Sequence, residues 1–318
     1  MKQGNYIQPA FKLSLRDAES VPRKISYSQW AMYERCPMQW KLSYIDNLAP
    51  FTFSIETCFG TAFHETLQHY LTVLYTDSVK TADRIGFREL LTDKLRTEYK
   101  RCVEENKGVH FSNATQLTEY LDDGVAILEW FQKRRSEYFS TKNYELVGIE
   151  IELCTQASEK NPSVFWYGFI DLVIRNTATN TIEIYDIKTS RSGWNQYQKA
   201  DTIKAAQLIA YKNYFSNQFG IPKDNIDVEF FIVKRKMMEE SMFPQKRIQS
   251  FRPASGSVTQ KKIQRYIDNF VSECFDAEGN KNTTRTYPAI SGKGDSNCKY
   301  CPFKTDYERC PKTARIRG

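Results

Sequence analysis

Residues 168–190 have the sequence GFIDLVIRNTATNTIEIYDIKTS, in which two apolar segments with strand-like alternation flank the polar, turn-like NTATNT. This pattern predicts a β-hairpin. If Ala178 and Thr179 form a two-residue turn, the numbers of facing residues sum to 357, and Asp171 lies opposite Asp186. Directly opposed residues are roughly 5 Å apart at Cβ, and like charges there are destabilising. The hairpin therefore predicts a cation between two carboxylates.

Lys188 follows Asp186 by two residues, so both side chains point to the same face of the strand. Mg²⁺ or Mn²⁺ with oxygen ligands would compensate the paired acids. Lys188 could then polarise a water molecule or stabilise developing negative charge. The alternative is an ordinary ion pair at a strand end, because short motifs of this kind match freely. A one-residue slip in register would also turn Asp171 to the opposite face.

The composition is that of a basic protein large enough for one large domain or two small ones, with 318 residues and a net charge of +7. This charge favours a polyanionic partner without establishing one. The N-terminus has no apolar signal region, and no run approaches the ~20 apolar residues of a membrane helix. We expect a cytoplasmic protein without a membrane partner, whose eight cysteines are metal ligands or buried thiols and not a disulfide framework.

Periodicity along the chain predicts one α/β domain with a helical insertion. We expect an N-terminal arm at 1–25, a single domain at 26–318, a helical block at 45–138 and a cysteine-rich tail at 280–318. Alternation predicts strands at 144–155, 163–175, 181–189, 226–236 and 246–252, and helical spacing predicts helices near 81–106, 114–138, 200–220 and 258–275.

Six short motifs occur in an order that resembles the RecB-like branch of the PD-(D/E)XK nuclease superfamily. They are SQWAMYERCP, GTAFHETL, GIEIEL, GFIDLVI, YDIKTS and QLIAY, and together they span about residues 26–310. The resemblance implies a restriction-endonuclease-like mixed central sheet flanked by helices, and a metal-dependent deoxyribonuclease activity. One departure is that Ile170, not proline, precedes the first acid.

The resemblance also implies roles for individual residues. The expected ligands of Mg²⁺ or Mn²⁺ are His64, Asp171, Asp186 and the main-chain carbonyl of Ile187. The expected catalytic set is Asp171, Asp186, Lys188, Glu150, Gln207 and Tyr211. Glu152 shares the expected face of Glu150 and remains an alternative to it. His64 could instead be a structural histidine, and Gln207 with Tyr211 could be an i,i+4 surface pair.

Three cysteines cluster in the tail as Cys298-x2-Cys301-x8-Cys310, and three thiolates need a fourth ligand to complete a tetrahedral site. Cys36 is the candidate. This split set is similar to that of the cluster-bearing members of the branch, the AddB-type recombination nucleases and the nucleases of CRISPR adaptation, which implies a 4Fe–4S cluster. Zinc in the same cage and unligated thiols are the alternatives, and the eight-residue gap is longer than usual. The other four cysteines are expected in the core.

These expectations favour an exonuclease that acts on DNA ends or single strands in recombination, repair or phage DNA metabolism. No G-x4-G-K-[ST] motif is present, so unwinding would need a separate helicase or recombination protein. Basic stretches at 233–238 and 245–252 could follow phosphates or be solvated strand ends. Residues 189–194 are expected to be the loop that meets DNA. The alternative function is a catalytically silent DNA-binding or structural subunit.

Overall fold

A computed structural model describes residues 6–50, 52–237, 242–243 and 245–317. A mixed β-sheet lies between two layers of helices, as expected for a restriction-endonuclease-like α/β fold. Residues 1–5 of the expected arm and Met238 of the first basic stretch lie outside the described residues. Within the described ranges, no helix is both long enough and apolar enough to cross a membrane.

The secondary structure follows the predicted order. The helices are α1 (Pro9–Lys12), α2 (Tyr27–Arg35), α3 (Pro37–Trp40), α4 (Ile55–Thr76), α5 (Val79–Ala82), α6 (Phe87–Glu105), α7 (Ala114–Gln132), α8 (Gln196–Ala200), α9 (Thr202–Phe219) and α10 (Ser257–Cys274). The strands are β1 (Arg23–Ile25), β2 (Tyr144–Ser158), β3 (Asn161–Asn176), β4 (Thr181–Ser190), β5 (Ile226–Lys234), β6 (Ile248–Phe251), β7 (Ala289–Ile290) and β8 (Arg315–Ile316).

The predicted hairpin register is confirmed. Leu172 pairs with Tyr185 and Val173 with Ile184, and both pairs sum to 357. The turn is longer than predicted, because Asn176 and Thr181 still pair and the four residues between them make the connection. The Asn176 side chain accepts hydrogen bonds from the backbone of the turn. A four-residue turn centred on the same point preserves the register.

The central sheet has the order β1-β3-β4-β5-β6, and β2 pairs with the other edge of β3. Strand β3 pairs with β1 at Val164–Trp166 and with β4 at Leu172–Asn176. Beyond Tyr185, β4 leaves β3 but stays paired with β5 as far as Ser190. The sheet therefore splits next to Asp171, and a gap opens between β3 and β4.

Each face of the sheet buries its own core. On one face α2, α9 and α10 cover residues such as Trp166, Ile184 and Phe230. On the other face α4, α6 and α7 cover Leu172 and Tyr185 among others. Burial on both faces explains the continuous apolar run Phe230–Val233 in the central strand β5.

Two boundaries differ from the prediction. The end of the expected arm, Arg23–Ile25, is strand β1 of the central sheet, and Ile7 bridges Gly148 at the free edge of β2. The helix expected over 81–106 is divided, because α5 ends at Ala82 and Gly86 caps a new helix. Glycine in an extended conformation at that N-cap is compatible with a helix start and not with helix continuation.

Candidate active site

Asp171 and Asp186 lie where β3 and β4 separate. The Ile187 N–H points towards β3 but has no strand partner there, and it donates to Asp171 Oδ2 at 2.7 Å. The Asp171 carboxylate thus takes the place of the main-chain carbonyl of β3 that would accept this hydrogen bond in a regular sheet. Because the N–H and C=O of one strand residue point the same way, the Ile187 carbonyl also faces the gap.

Asp186 is almost completely buried, with 1% of its surface exposed. Lys188 Nζ lies 2.7 Å from Asp186 Oδ2, so the two side chains form a close ion pair. Burial raises the pKa of Asp186 to about 6, with Lys188 opposing the shift and Asp171 adding to it. Burial and the neighbouring Asp171 therefore outweigh the effect of Lys188 on the pKa of Asp186.

Lys188 remains a cation in this setting. Burial favours the neutral amine, but the carboxylates of Asp186 and Asp171 outweigh it and raise the pKa of Lys188 above its usual value. One-third of the side chain is exposed, at 33%. The ammonium group therefore lies at the boundary between the buried acid and the solvent.

Helix α4 carries His64 to the same place. Its N-cap is Ser54, whose side chain accepts from the Thr57 N–H. Gly60 brings the helix close to β4, since a Cβ at this position would lie 3.3 Å from Thr189 Oγ1. One turn later, His64 Nδ1 lies 4.0 Å from Asp171 Oδ2. A close helix–strand approach thus sets the histidine beside the first acid.

Glu150 and Glu152 line one pocket together with Tyr167 and Phe169, but they differ in backbone conformation and in hydrogen-bond partners. Glu150 has a φ of 51°, which reverses the alternation of β2. As a result Ile149 packs in one core and Ile151 in the other, although residues two apart normally share a face. Burial raises the pKa of Glu152, which lies in the field of Lys24 near the N-terminal segment.

Glu150 is linked to Asp171 by hydrogen bonds through Gln68, a residue that no sequence motif identified. Gln68 Nε2 donates to Glu150 Oε1 at 2.7 Å and to the Asp171 carbonyl at 3.1 Å. Gln68 is buried and lies one helical turn after His64 on α4. That i,i+4 spacing was the signal that could have identified it.

Gln207 and Tyr211 on α9 form a buried pair, so the surface-pair alternative is wrong. Gln207 Nε2 donates to the Tyr211 hydroxyl at 3.0 Å. Burial, followed by the charges of Asp186 and Asp171, raises the pKa of Tyr211 well above its usual value. Gln207 also lines a cleft of about 480 Å³ with Lys188.

The comparison with known proteins supports the same fold. A family model for the PD-(D/E)XK nuclease superfamily matches residues 24–311. The chain belongs to this superfamily. No curated protein matches the chain closely enough to add a relative. Membership implies a nuclease, and nucleases of this superfamily generally use Mg²⁺ or Mn²⁺.

The chemistry of the acidic site fits such an ion, although the site is not arranged as a closed cage. Among the described residues, no three His, Cys, Asp or Glu side chains are arranged to hold a metal ion. The observation that favours an ion is the pair of acids at the split, of which Asp186 is buried and has only the Lys188 ammonium group as its close cation. Oxygen atoms of two carboxylates are the donors that hard divalent cations prefer. The negative charge and the oxygen donors of this site therefore suit the divalent ion that nucleases of this superfamily generally use.

The four predicted cysteines line one cavity, together with residues from α3 and the tail. Burial raises the pKa of the Cys301 thiol, and charge on Cys36, Cys298 and Cys310 raises it further. Strands β7 and β8 pair within the tail, and the Ile290 N–H donates to Cys36 Sγ at 3.4 Å. The structure shows a shared thiol cavity and not a formed metal cage.

The remaining four cysteines are buried as predicted: Cys58, Cys102, Cys154 and Cys274.

The first basic stretch, residues 233–238, is engaged in structural ion pairs. Arg235 Nη1 lies 2.6 Å from Asp123 and Lys236 Nζ lies 2.8 Å from Glu119, which joins β5 to α7. These two cations are thus committed to internal carboxylates, which argues against a phosphate-binding role for this part of the stretch.

Proposed function

We propose that this superfamily member is a metal-dependent deoxyribonuclease that hydrolyses phosphodiester bonds at the split between β3 and β4. The observation that carries the proposal is the buried Asp186 carboxylate, whose pKa is raised although Lys188 Nζ lies 2.7 Å from Oδ2. Asp171 lies beside it, and the two carboxylates act on the same lysine. A buried pair of acids that shares one cation suits a site that binds a further cation.

Asp171, Asp186, His64 and the Ile187 carbonyl are the proposed ligands. Asp171 Oδ2 and His64 Nδ1 are 4.0 Å apart, and the Ile187 carbonyl faces the same gap. When bound, Mg²⁺ or Mn²⁺ supplies Lewis-acid stabilisation of the negative charge that develops on the phosphate. Glu150 does not need to be a ligand for this arrangement, since its carboxylate is tied to Gln68.

Lys188 is proposed to orient the attacking water and to stabilise negative charge on the phosphoryl oxygens. Its ammonium group can donate three hydrogen bonds, and the side chain reaches the surface of the cleft. Glu150, through Gln68, holds the Asp171 backbone and is a positioning residue. Gln207 lines the cleft and donates a hydrogen bond to Tyr211, which lies in the core.

We further propose that the chain is of the RecB-like type and that Cys36, Cys298, Cys301 and Cys310 hold a 4Fe–4S cluster. The cavity that all four cysteines line supports this proposal. Ligation by the four thiolates would join α3 to the tail. Zinc in the same place would have the same stapling effect, and bound-metal analysis separates the two.

The proposed biological role is an exonuclease that acts on DNA ends or single strands in recombination, repair or phage DNA metabolism. The absence of a P-loop motif from the sequence supports a separate helicase or recombination partner. The net charge of +7 is compatible with a polyanionic substrate. These roles rest on the resemblance, whereas the hydrolytic site rests on the geometry of the acids.

The test is a cleavage assay on protein purified without oxygen, with linear and circular DNA, single- and double-stranded, in Mg²⁺, Mn²⁺ or EDTA. We expect metal-dependent hydrolysis that Asp186→Ala and Lys188→Ala each reduce at least 100-fold. Degradation of linear but not circular DNA would support the exonuclease. Equal hydrolysis by the wild type and both variants would refute the assigned site. No hydrolysis by the wild type, with DNA binding intact, would favour the catalytically silent DNA-binding subunit.

A further inference from the structure

The cleft beside Lys188 extends well beyond the acidic site. It has a volume of about 480 Å³ and runs between α2, the start of α9 and the cysteine segment of the tail. Pockets of this size hold a ligand of drug-like dimensions. That space suits a short stretch of one nucleic-acid strand and is too small for the cross-section of a duplex.

The walls of the cleft combine cations with aromatic rings. Its charged lining residues are Arg35, Lys188 and Lys204, and no carboxylate among the described residues lines it. Arg35 is partly neutralised by Asp201, at 3.1 Å. Burial lowers the pKa of Lys204, which marks an ammonium group that is incompletely hydrated. An incompletely hydrated cation gains more from a phosphate than a fully solvated one does.

The two opposite walls present different aromatic groups. On one wall the Trp194 ring packs on Phe230 and is covered by Lys204, whose Nζ lies 5.1 Å from the ring centroid. The Gln249 side chain fixes the Trp194 backbone with two hydrogen bonds, at 2.9 and 3.1 Å. On the other wall Tyr300 is 83% exposed. Among the described aromatic residues that line the cleft, Tyr300 is the most exposed, and Lys299 Nζ lies 5.2 Å from its ring centroid.

Tyr300 is held over the cleft by its neighbours in the chain. Asn297 Nδ2 donates to the Arg35 carbonyl at 2.8 Å and to the Ile290 carbonyl at 3.2 Å, which ties the cysteine segment to α2. An exposed ring on an anchored segment is positioned to stack on a ligand without first being ordered. Flat π-faces of this kind stack on unpaired bases, which a duplex does not expose.

We propose that this cleft binds single-stranded DNA, with a base stacked on Tyr300 and phosphates bound by Lys204 and Arg35. The inference rests on the proposed nuclease function and adds the strandedness of its substrate. A strand bound in this way would pass Lys188 on its way to the acids. Selection of single strands would then come from stacking and not from base-edge hydrogen bonds.

The test measures DNA binding in EDTA by fluorescence anisotropy on the full chain, so that hydrolysis does not interfere. The probes are a labelled 12-nucleotide strand without self-complementarity, the blunt duplex of the same sequence, and the strand with three consecutive abasic sites. Tyr300→Ala is compared with Tyr300→Phe, which keeps the ring. The matched control is Tyr197→Ala, since Tyr197 is similarly exposed at 77% but does not line the cleft.

We expect the wild type to prefer the single strand, and Tyr300→Ala to weaken that binding about 5- to 150-fold, the range for loss of one stacked base. Tyr300→Phe and Tyr197→Ala should stay within about twofold of the wild type, a range typical of surface changes. Equal affinity for duplex and single strand, tight binding of the abasic probe, or an equal loss in Tyr197→Ala would overturn the proposal. Failure of the nuclease proposal appears separately, as absent metal-dependent cleavage with single-strand binding intact.

Discussion

Replacing Asp186 with asparagine should stabilise the metal-free protein while it abolishes hydrolysis. The carboxylate is buried, and its pKa is raised from 3.8 to about 6, chiefly by burial. That difference is about two pKa units, so at about 1.4 kcal/mol per unit the ionised group destabilises the fold by about 3 kcal/mol at neutral pH. Asparagine has nearly the same shape and removes this charge.

The pH dependence has a definite sign. Because the folded state binds the Asp186 proton more tightly than the unfolded chain does, the contribution of this group to stability falls as pH rises from 3.8 to about 6. Above pH 6 this loss of stability is complete, and near pH 4 it is almost absent. The advantage of Asp186→Asn over the wild type should therefore be largest at pH 7.5 and should vanish near pH 4.

The assay is urea unfolding in EDTA at a series of pH values, followed by circular dichroism. At pH 7.5 we expect Asp186→Asn to be about 3 kcal/mol more stable, equivalent to roughly 5 °C in Tm for a chain of this size. Added Mg²⁺ should stabilise the wild type and not the variant. Asp122→Asn, in an exposed ion pair with Arg88, is the control and should change stability by less than about 0.5 kcal/mol. A variant that is no more stable than the wild type at pH 7.5, or equally favoured at pH 4, would refute the reasoning.

Three further outcomes test the site and its supports. Glu150→Ala should reduce nuclease turnover about 10- to 100-fold, because it removes the acceptor that holds Gln68 Nε2 beside the Asp171 carbonyl, whereas Glu152→Ala should stay within about twofold in the same assay. Cys36→Ser should lower bound iron or zinc to background in elemental analysis. It should also reduce Tm, because the metal site would no longer connect the tail to α3. Unchanged metal content would exclude Cys36 as a ligand. Gly60→Val should destabilise the fold by about 1–3 kcal/mol in urea unfolding by crowding Thr189, whereas Gly60→Ala should be tolerated.

The hairpin register was predictable because it depends only on alternation and on the centre of the turn. A two-residue and a four-residue turn around the same centre pair the same residues, so the error in turn length did not move Asp171 relative to Asp186. The order of helices and strands followed from periodicity for the same reason, since both patterns are local.

The backbone conformation at Glu150 was not predictable from alternation. Pattern arguments assume regular dihedral angles, and a non-glycine φ of 51° occurs here because the surrounding structure imposes it. Gln68 was overlooked because its partners, Glu150 and the Asp171 carbonyl, are far away in the sequence. Strained backbone and long-range polar partners are thus the parts of this site that require coordinates.

The split of the sheet accounts for both the chemistry and the access of a substrate. Where β4 leaves β3, the Ile187 N–H loses its ladder partner and recruits Asp171, which brings a second carboxylate towards Asp186. The same separation leaves Lys188 at the mouth of the cleft, because the strand continues along β5 without a neighbour on its other side. If β3 and β4 stayed paired, the Ile187 backbone would be satisfied and the gap closed. The acidic pair and the path to it therefore have one structural cause.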